Sequence, residues 1–153
     1  MAIQHSAIPD ADRHEPKGAS TAAAGSVYVS DGAASGTWKW QPQVATLDIA
    51  SLDTVGDYYI PFAYNSTIDK VYSTIDGAIL TADKTLTLSI GGVAVTNGVI
   101  TITQAGSAAG DVDSCTPTAN NTVSAGAALK VAATGGTTGG IRAHLTIVYT
   151  RTA

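Results

Sequence analysis

Lys84-Thr85-Leu86-Thr87-Leu88-Ser89-Ile90 alternates apolar and polar side chains from Thr85 onward without a break. Successive side chains of an extended chain point to opposite faces, so Leu86, Leu88 and Ile90 share one face and Thr85, Thr87 and Ser89 the other. Gly91-Gly92 punctuates the run, and Val93 and Val95 continue it. Asn97-Gly98 reads as a hairpin turn, because this pair tolerates the positive φ that tight hairpins need. Beyond it Ile100 and Ile102 face in, with Thr101 and Thr103 out.

The same period of two extends in both directions. Ala45, Leu47 and Ile49 share a face, as do Tyr58, Ile60 and Phe62, where Pro61 marks an edge or a strand end. Residues 66–76 read as a long strand. Ile68 and Val71 are out of phase within it, which predicts a bulge or a change of sheet. Leu129 and Val131 form a short strand. In the long final strand Ile141, Ala143, Leu145, Ile147 and Tyr149 alternate with Arg142, His144, Thr146, Val148 and Thr150. Parallel sheets need crossovers and strands buried on both faces. Half-apolar strands at short spacing instead predict an all-β fold: antiparallel sheets packed face to face, a β-sandwich of jelly-roll type. The Gly135–Gly140 segment reads as a flexible hairpin loop. It lacks the Gly-Lys-Ser/Thr ending of a phosphate-binding loop.

Composition agrees. Val, Ile and Thr make up 45 of the 153 residues, against one Glu and one Met. Stiff β-branched side chains suit pleated strands, while the flexible helix formers are nearly missing. Leu, Ile, Val and Phe total 32, enough for a modest core. Charged residues are 13% of the chain and the net charge is −4, with no basic stripe, so no nucleic-acid partner is expected. No run approaches a membrane span, and Met1–Ser20 lacks the apolar centre of a secretory signal, so synthesis and use without secretion are expected. Cys115 stands alone and reads as a small reduced residue in or near a loop.

Charge is unevenly placed. Residues 1–20 hold Asp10, Asp12, Arg13, Glu15 and Lys17 as well as His5 and His14; residues 90–153 hold only Asp111, Asp113, Lys130, Arg142 and Arg151. With Pro9 and Pro16 and no hydrophobic period, residues 1–25 read as an extended arm. A short strand pair follows: Val27 and Val29, a turn-rich loop from Asp31-Gly32, then Trp38 and Trp40 alternating with Thr37 and Lys39. The predicted division is therefore 1–42, arm and strand pair, and 43–153, sandwich.

Little in the sequence supports catalysis. His5, His14 and His144 do not converge on a metal, and His144 falls on the outward face of the last strand. Asp111 and Asp113 offer two oxygens on a loop, short of a calcium site. There is no Gly-x-Ser-x-Gly elbow, and a hydrolytic carboxylate pair would have to come from one Glu and mostly loop-placed Asp. No enzyme activity, cofactor or metal is expected. Trp38 and Trp40 have two open readings: they cap the core, or they anchor a contact with another subunit or large partner. The arm is open in the same way, as a trimmed tail or as a segment that orders along a partner's surface.

Several stretches resemble a known family. Ile8-Pro9-Asp10-Ala11-Asp12-Arg13-His14-Glu15-Pro16-Lys17-Gly18-Ala19-Ser20-Thr21-Ala22 is followed by Gly25-Ser26-Val27-Tyr28-Val29-Ser30-Asp31-Gly32 and Gly36-Thr37-Trp38. With Ser73–Ile79, Ala82–Leu88 and Gly106–Val112, these resemble the capsid decoration, or cement, proteins of tailed phages. The resemblance implies a structural protein on the outer surface of a mature head, made in the host cytoplasm and often a homotrimer. It would bind where major capsid protein subunits meet and hold the shell against packaged DNA. It implies that Arg13, His14, Glu15, Pro16 and Lys17 touch the capsid; the aromatic reading adds Trp38 and Trp40 as expected capsid or subunit interface residues. The chain departs from the family at Ala127, where related chains carry an acidic residue after the glycine of a Val-x-x-Gly-Asp turn. A tail-fibre or host-receptor-binding β-domain is the alternative.

Overall fold

The computed structural model describes residues 21–30, 36–135 and 139–152. They fall into two units, one ending at Gln41 and one running from Pro42 to Thr152. In the first, β1 (Val27–Ser30) and β2 (Gly36–Lys39) form an antiparallel ribbon with Tyr28 opposite Trp38. Gly36 has to be glycine, because a Cβ there would overlap the Val29 carbonyl oxygen.

The second unit contains β3 (Pro42–Ile49), β4 (Gly56–Pro61), β5 (Ser66–Ile75), β6 (Lys84–Ile90), β7 (Val93–Ile102), β8 (Val112–Cys115), β9 (Thr122–Val123), β10 (Ala128–Gly135) and β11 (Ala143–Arg151). They make two antiparallel sheets. One has the order β4-β10-β6-β7 and the other β3-β11-β5-β8, with β9 paired to β5. The described residues contain no α-helix. Both sheets feed one core: Ile49, Ile68, Val71, Ile75, Leu145 and Ile147 from one, Ile60, Leu86, Leu88, Ile100, Ile102, Leu129 and Val131 from the other. Each fully buried Leu, Ile or Val side chain contributes about 1.5–3 kcal/mol, so a small core of branched residues suffices.

The phase break in β5 is a bulge. Ile68 faces Tyr149 and Lys70 faces Val148, which leaves Asp69 without an opposite residue and resets the inward row from Ser66 and Ile68 to Val71, Ser73 and Ile75. Pro61 ends the edge strand β4, where a missing N–H costs no ladder bond.

Other expectations are corrected. The hairpin between β6 and β7 turns at Gly91-Gly92, with Ile90 opposite Val93 and φ of +58° and +82° at the two glycines. Asn97-Gly98 lies inside β7. Thr87 faces Val99 while Ser89 faces Ala94, so Val95–Gly98 bulge away from β6. Asn97 takes its positive φ of 56° there, and its amide donates to Thr118 Oγ1 at 3.1 Å. Gly135–Gly140 is not a hairpin loop either, because β10 and β11 belong to different sheets. Cys115 ends a strand, β8, that was not anticipated, as was β9. Ile90, expected inward, is only half-buried.

Candidate functional site

Arg13, His14, Glu15, Pro16 and Lys17 lie outside the described residues. Trp38 and Trp40 are half-buried in the first unit. The Trp38 ring meets Tyr28 edge-on, with centroids 5.5 Å apart, because the two residues are directly opposite in the ribbon.

In the second unit two of the titratable groups singled out in the sequence make structural contacts. His144 Nδ1 lies 2.7 Å from Asp48 Oδ1 on the exposed outer face. Asp111 Oδ2 accepts from the Ala108 amide, and Ser107 Oγ accepts from Ile79 N and donates to Gln104 O. These bonds hold the 104–111 loop around a pocket of about 190 Å³ that includes Ile75, Ile102, Asp111 and Asp113. Partial burial, and then the neighbouring Asp111 charge, push the Asp113 carboxyl above its ordinary range. Burial pushes the Cys115 thiol up to about 11, so it stays protonated and unreactive at neutral pH. The described residues hold no group of three or more metal-ligating side chains, and no described helix is long and apolar enough to cross a membrane. Lys84 has the same parity as Leu86, faces inward and is 0% exposed; its Nζ has no hydrogen-bond partner. Sequence reasoning missed this burial, although the alternation itself carries the signal.

The four outer sheet edges differ in length and regularity. An edge strand presents unpaired backbone groups to any strand that approaches, and proteins usually blunt it. Here β4 is six residues long and ends on Pro61. β7 is bulged, and Thr96 bridges Ala119 on its outer side. β8 has four residues. β3 has eight, begins on Pro42, carries Asp48 and follows β11 without a register shift. Its outer backbone edge has no partner strand among the described residues. Val44 is 64% exposed, and the inward Ala45 and Leu47 are only half-buried.

A second pocket of about 190 Å³ adjoins β3, lined by Ala45, Pro61, Phe62, Ala63, Tyr64, Ser66 and Tyr149. Phe62 and Tyr149 meet edge-on with centroids 4.9 Å apart. The Arg151 guanidinium sits 3.6 Å above the Tyr64 ring. Ser66 Oγ is committed to the Tyr64 carbonyl. The lining is therefore aromatic and aliphatic, suited to an uncharged group.

Neither a protein-family model nor a curated protein matches the sequence. Among solved structures, the chain is similar to one in the acidic stable capsid structure of Helicobacter pylori bacteriophage KHP30. The match has a TM-score of 0.44 at 9% identity and covers 73% of this chain and 89% of that one.

Proposed function

We propose that this chain is a non-enzymatic structural protein of a phage virion, a decoration protein that lies on the outside of the head where major capsid protein subunits meet. The observation that carries the reading is the strand order. With the two-residue β9 set aside, number the sandwich strands one to eight in chain order. One sheet then reads 1-8-3-6 and the other 2-7-4-5. This order supports a jelly roll, the double-sheet fold recurrent in viral capsid domains. A fold alone does not assign a function. The sequence resemblance to cement proteins narrows the class, and the low-charge, strand-rich surface suits a part that works by contact area. Homotrimers would cover sheet edges and add to a thin core. Multiple attachment points would turn modest contacts into firm binding.

Binding to stripped, empty mature heads tests the proposal, with the heads' disruption temperature as the second readout. Attachment with a raised disruption temperature is expected; no attachment at any salt concentration overturns it. A tail-fibre receptor-binding domain is favoured instead by one feature, the aromatic lining of Phe62, Tyr64 and Tyr149, which could stack on a sugar ring. Saturable glycan binding that Tyr64→Ala abolishes, in protein that does not attach to heads, would establish that reading.

A further inference from the structure

We infer that Asn97 is a self-modification site, where the folded chain converts its own side-chain amide to a carboxylate through a cyclic imide, at a pace set by the hydrogen bond to Thr118. The inference concerns the covalent chemistry of β7 and stands apart from the shell-binding reading.

The bulge in β7 demands the pair Asn97-Gly98. Asn97 holds a φ of 56°, a region in which asparagine is one of the few residues with a side chain to settle readily. Gly98 admits no side chain, because a Cβ there would lie 2.7 Å from Val95 Cβ and 2.9 Å from the Val95 carbonyl oxygen. These two demands of the fold place a reactive backbone nitrogen beside the amide. Gly98 N meets Asn97 Cγ with no side chain of its own to block the approach. The other asparagines are Asn65, Asn120 and Asn121; they precede Ser66, Asn121 and Thr122, which all carry a side chain there. Asn97 is also exposed, so water reaches the imide.

The reaction consumes only water and involves no oxidant or reductant. Gly98 N bonds to Asn97 Cγ and gives up its proton, and the Cγ–Nδ2 bond breaks, with Nδ2 departing as ammonia. Water then opens the imide at either carbonyl, leaving aspartate or isoaspartate. Both products add one negative charge to the net −4 of the chain. Isoaspartate also lengthens the backbone within the bulge by one methylene.

Thr118 restrains the first step. Asn97 Nδ2 donates to Thr118 Oγ1 at 3.1 Å, and Thr118 is itself held by its N–H on the Thr96 carbonyl at 3.0 Å. Nδ2 is the departing nitrogen, so ring closure forfeits this bond. A near-attack geometry has to be reached against the tie, and a hydrogen bond of ordinary strength slows that roughly two- to tenfold.

The test ages the full chain, Thr118→Val and Thr118→Ser in mildly alkaline buffer made with heavy-oxygen water. Mass-spectrometric mapping, with fragmentation that separates aspartate from isoaspartate, follows each asparagine. Asn97 is expected to take up the label ahead of Asn65, Asn120 and Asn121. Thr118 is exposed, so valine of the same shape leaves the packing intact. Thr118→Val should speed Asn97 roughly two- to tenfold, and Thr118→Ser should return the parent rate, with Asn120 and Asn121 unchanged throughout. An Asn97 no faster than the other asparagines overturns the inference. So does a Thr118→Val variant that reacts at the parent rate or more slowly. Acceleration shared by Asn120 and Asn121 also overturns it, by making general loosening of the fold the cause.

Discussion

Replacing Lys84 by methionine is expected to stabilise the sandwich. Lys84 opens β6, with Ile102 opposite on β7 and Gly135 opposite on β10, and it is 0% exposed. Its aliphatic stem is useful: a buried methylene contributes about 0.8 kcal/mol, so four give about 3 kcal/mol. Its Nζ is a cost. A buried polar atom without a partner forfeits about 1–3 kcal/mol, more if it is charged. Methionine keeps an unbranched apolar chain of nearly the same reach and drops the ammonium. The expected gain is about 2 kcal/mol, or roughly 4–8 °C in Tm for a chain of this size. Lys84→Ala also drops the ammonium but loses three methylenes and leaves a cavity, so it falls about 2–4 kcal/mol below the methionine variant. Urea unfolding should be followed by circular dichroism, because the sandwich contains no tryptophan of its own: Trp38 and Trp40 both belong to the other unit. A methionine variant less stable than the parent by 1 kcal/mol or more would refute the reasoning, since it would mean that the ammonium is engaged.

Three further outcomes follow from particular residues. Cys115 should resist thiolate-directed reagents at pH 8 in the folded protein and react readily in urea. Burial pushes its pKa up to about 11 from an ordinary thiol's 9.0, so the stability it contributes is full below pH 9 and declines as pH rises toward 11; a flat stability profile across that window would contradict this. Asp113 is also raised, so its charge opposes folding above the ordinary carboxylate range. Asp113→Asn should raise Tm at pH 7, with the advantage over the parent shrinking in acid, as thermal melts at pH 7 and pH 3 would report. Gly92→Val places a β-branched residue at φ +82° and should cost about 1–2 kcal/mol by urea titration, whereas Gly91→Asn, at φ +58°, should be nearly neutral.

Much of the sandwich could be read along the chain because alternation records which side of a strand is buried. The inward rows of β3 and β11 follow directly from it, as do Leu86 and Leu88 of β6 though not its end at Ser89 and Ile90, and the phase slip between Ile68 and Val71 locates the bulge at Asp69. Turn identity was less accessible. Gly91-Gly92 and Asn97-Gly98 meet the same demand for positive φ, and only the pairing of β6 with β7 decides that the first turns the chain and the second bulges it. β8 and β9, with four and two residues, are too short to show a period. Strand order is absent from the pattern altogether, since alternation says nothing about neighbours. The pocket assembled from β3, the end of β4 and β11 was therefore invisible until the sheets were built.

The placement of β10 and β11 bears on how the polypeptide is made. Although these strands are synthesised last, β10 lies between β4 and β6, and β11 between β3 and β5. Until they emerge from the ribosome, neither sheet has its middle, and no amino-terminal portion of the sandwich can settle on its own. Folding therefore waits for these late strands and is slow, because pairings distant in sequence close late. A chain cut within β10 would leave β3 and β4 with no partner strand among the described residues and β6 paired only with β7, an open precursor with exposed edges.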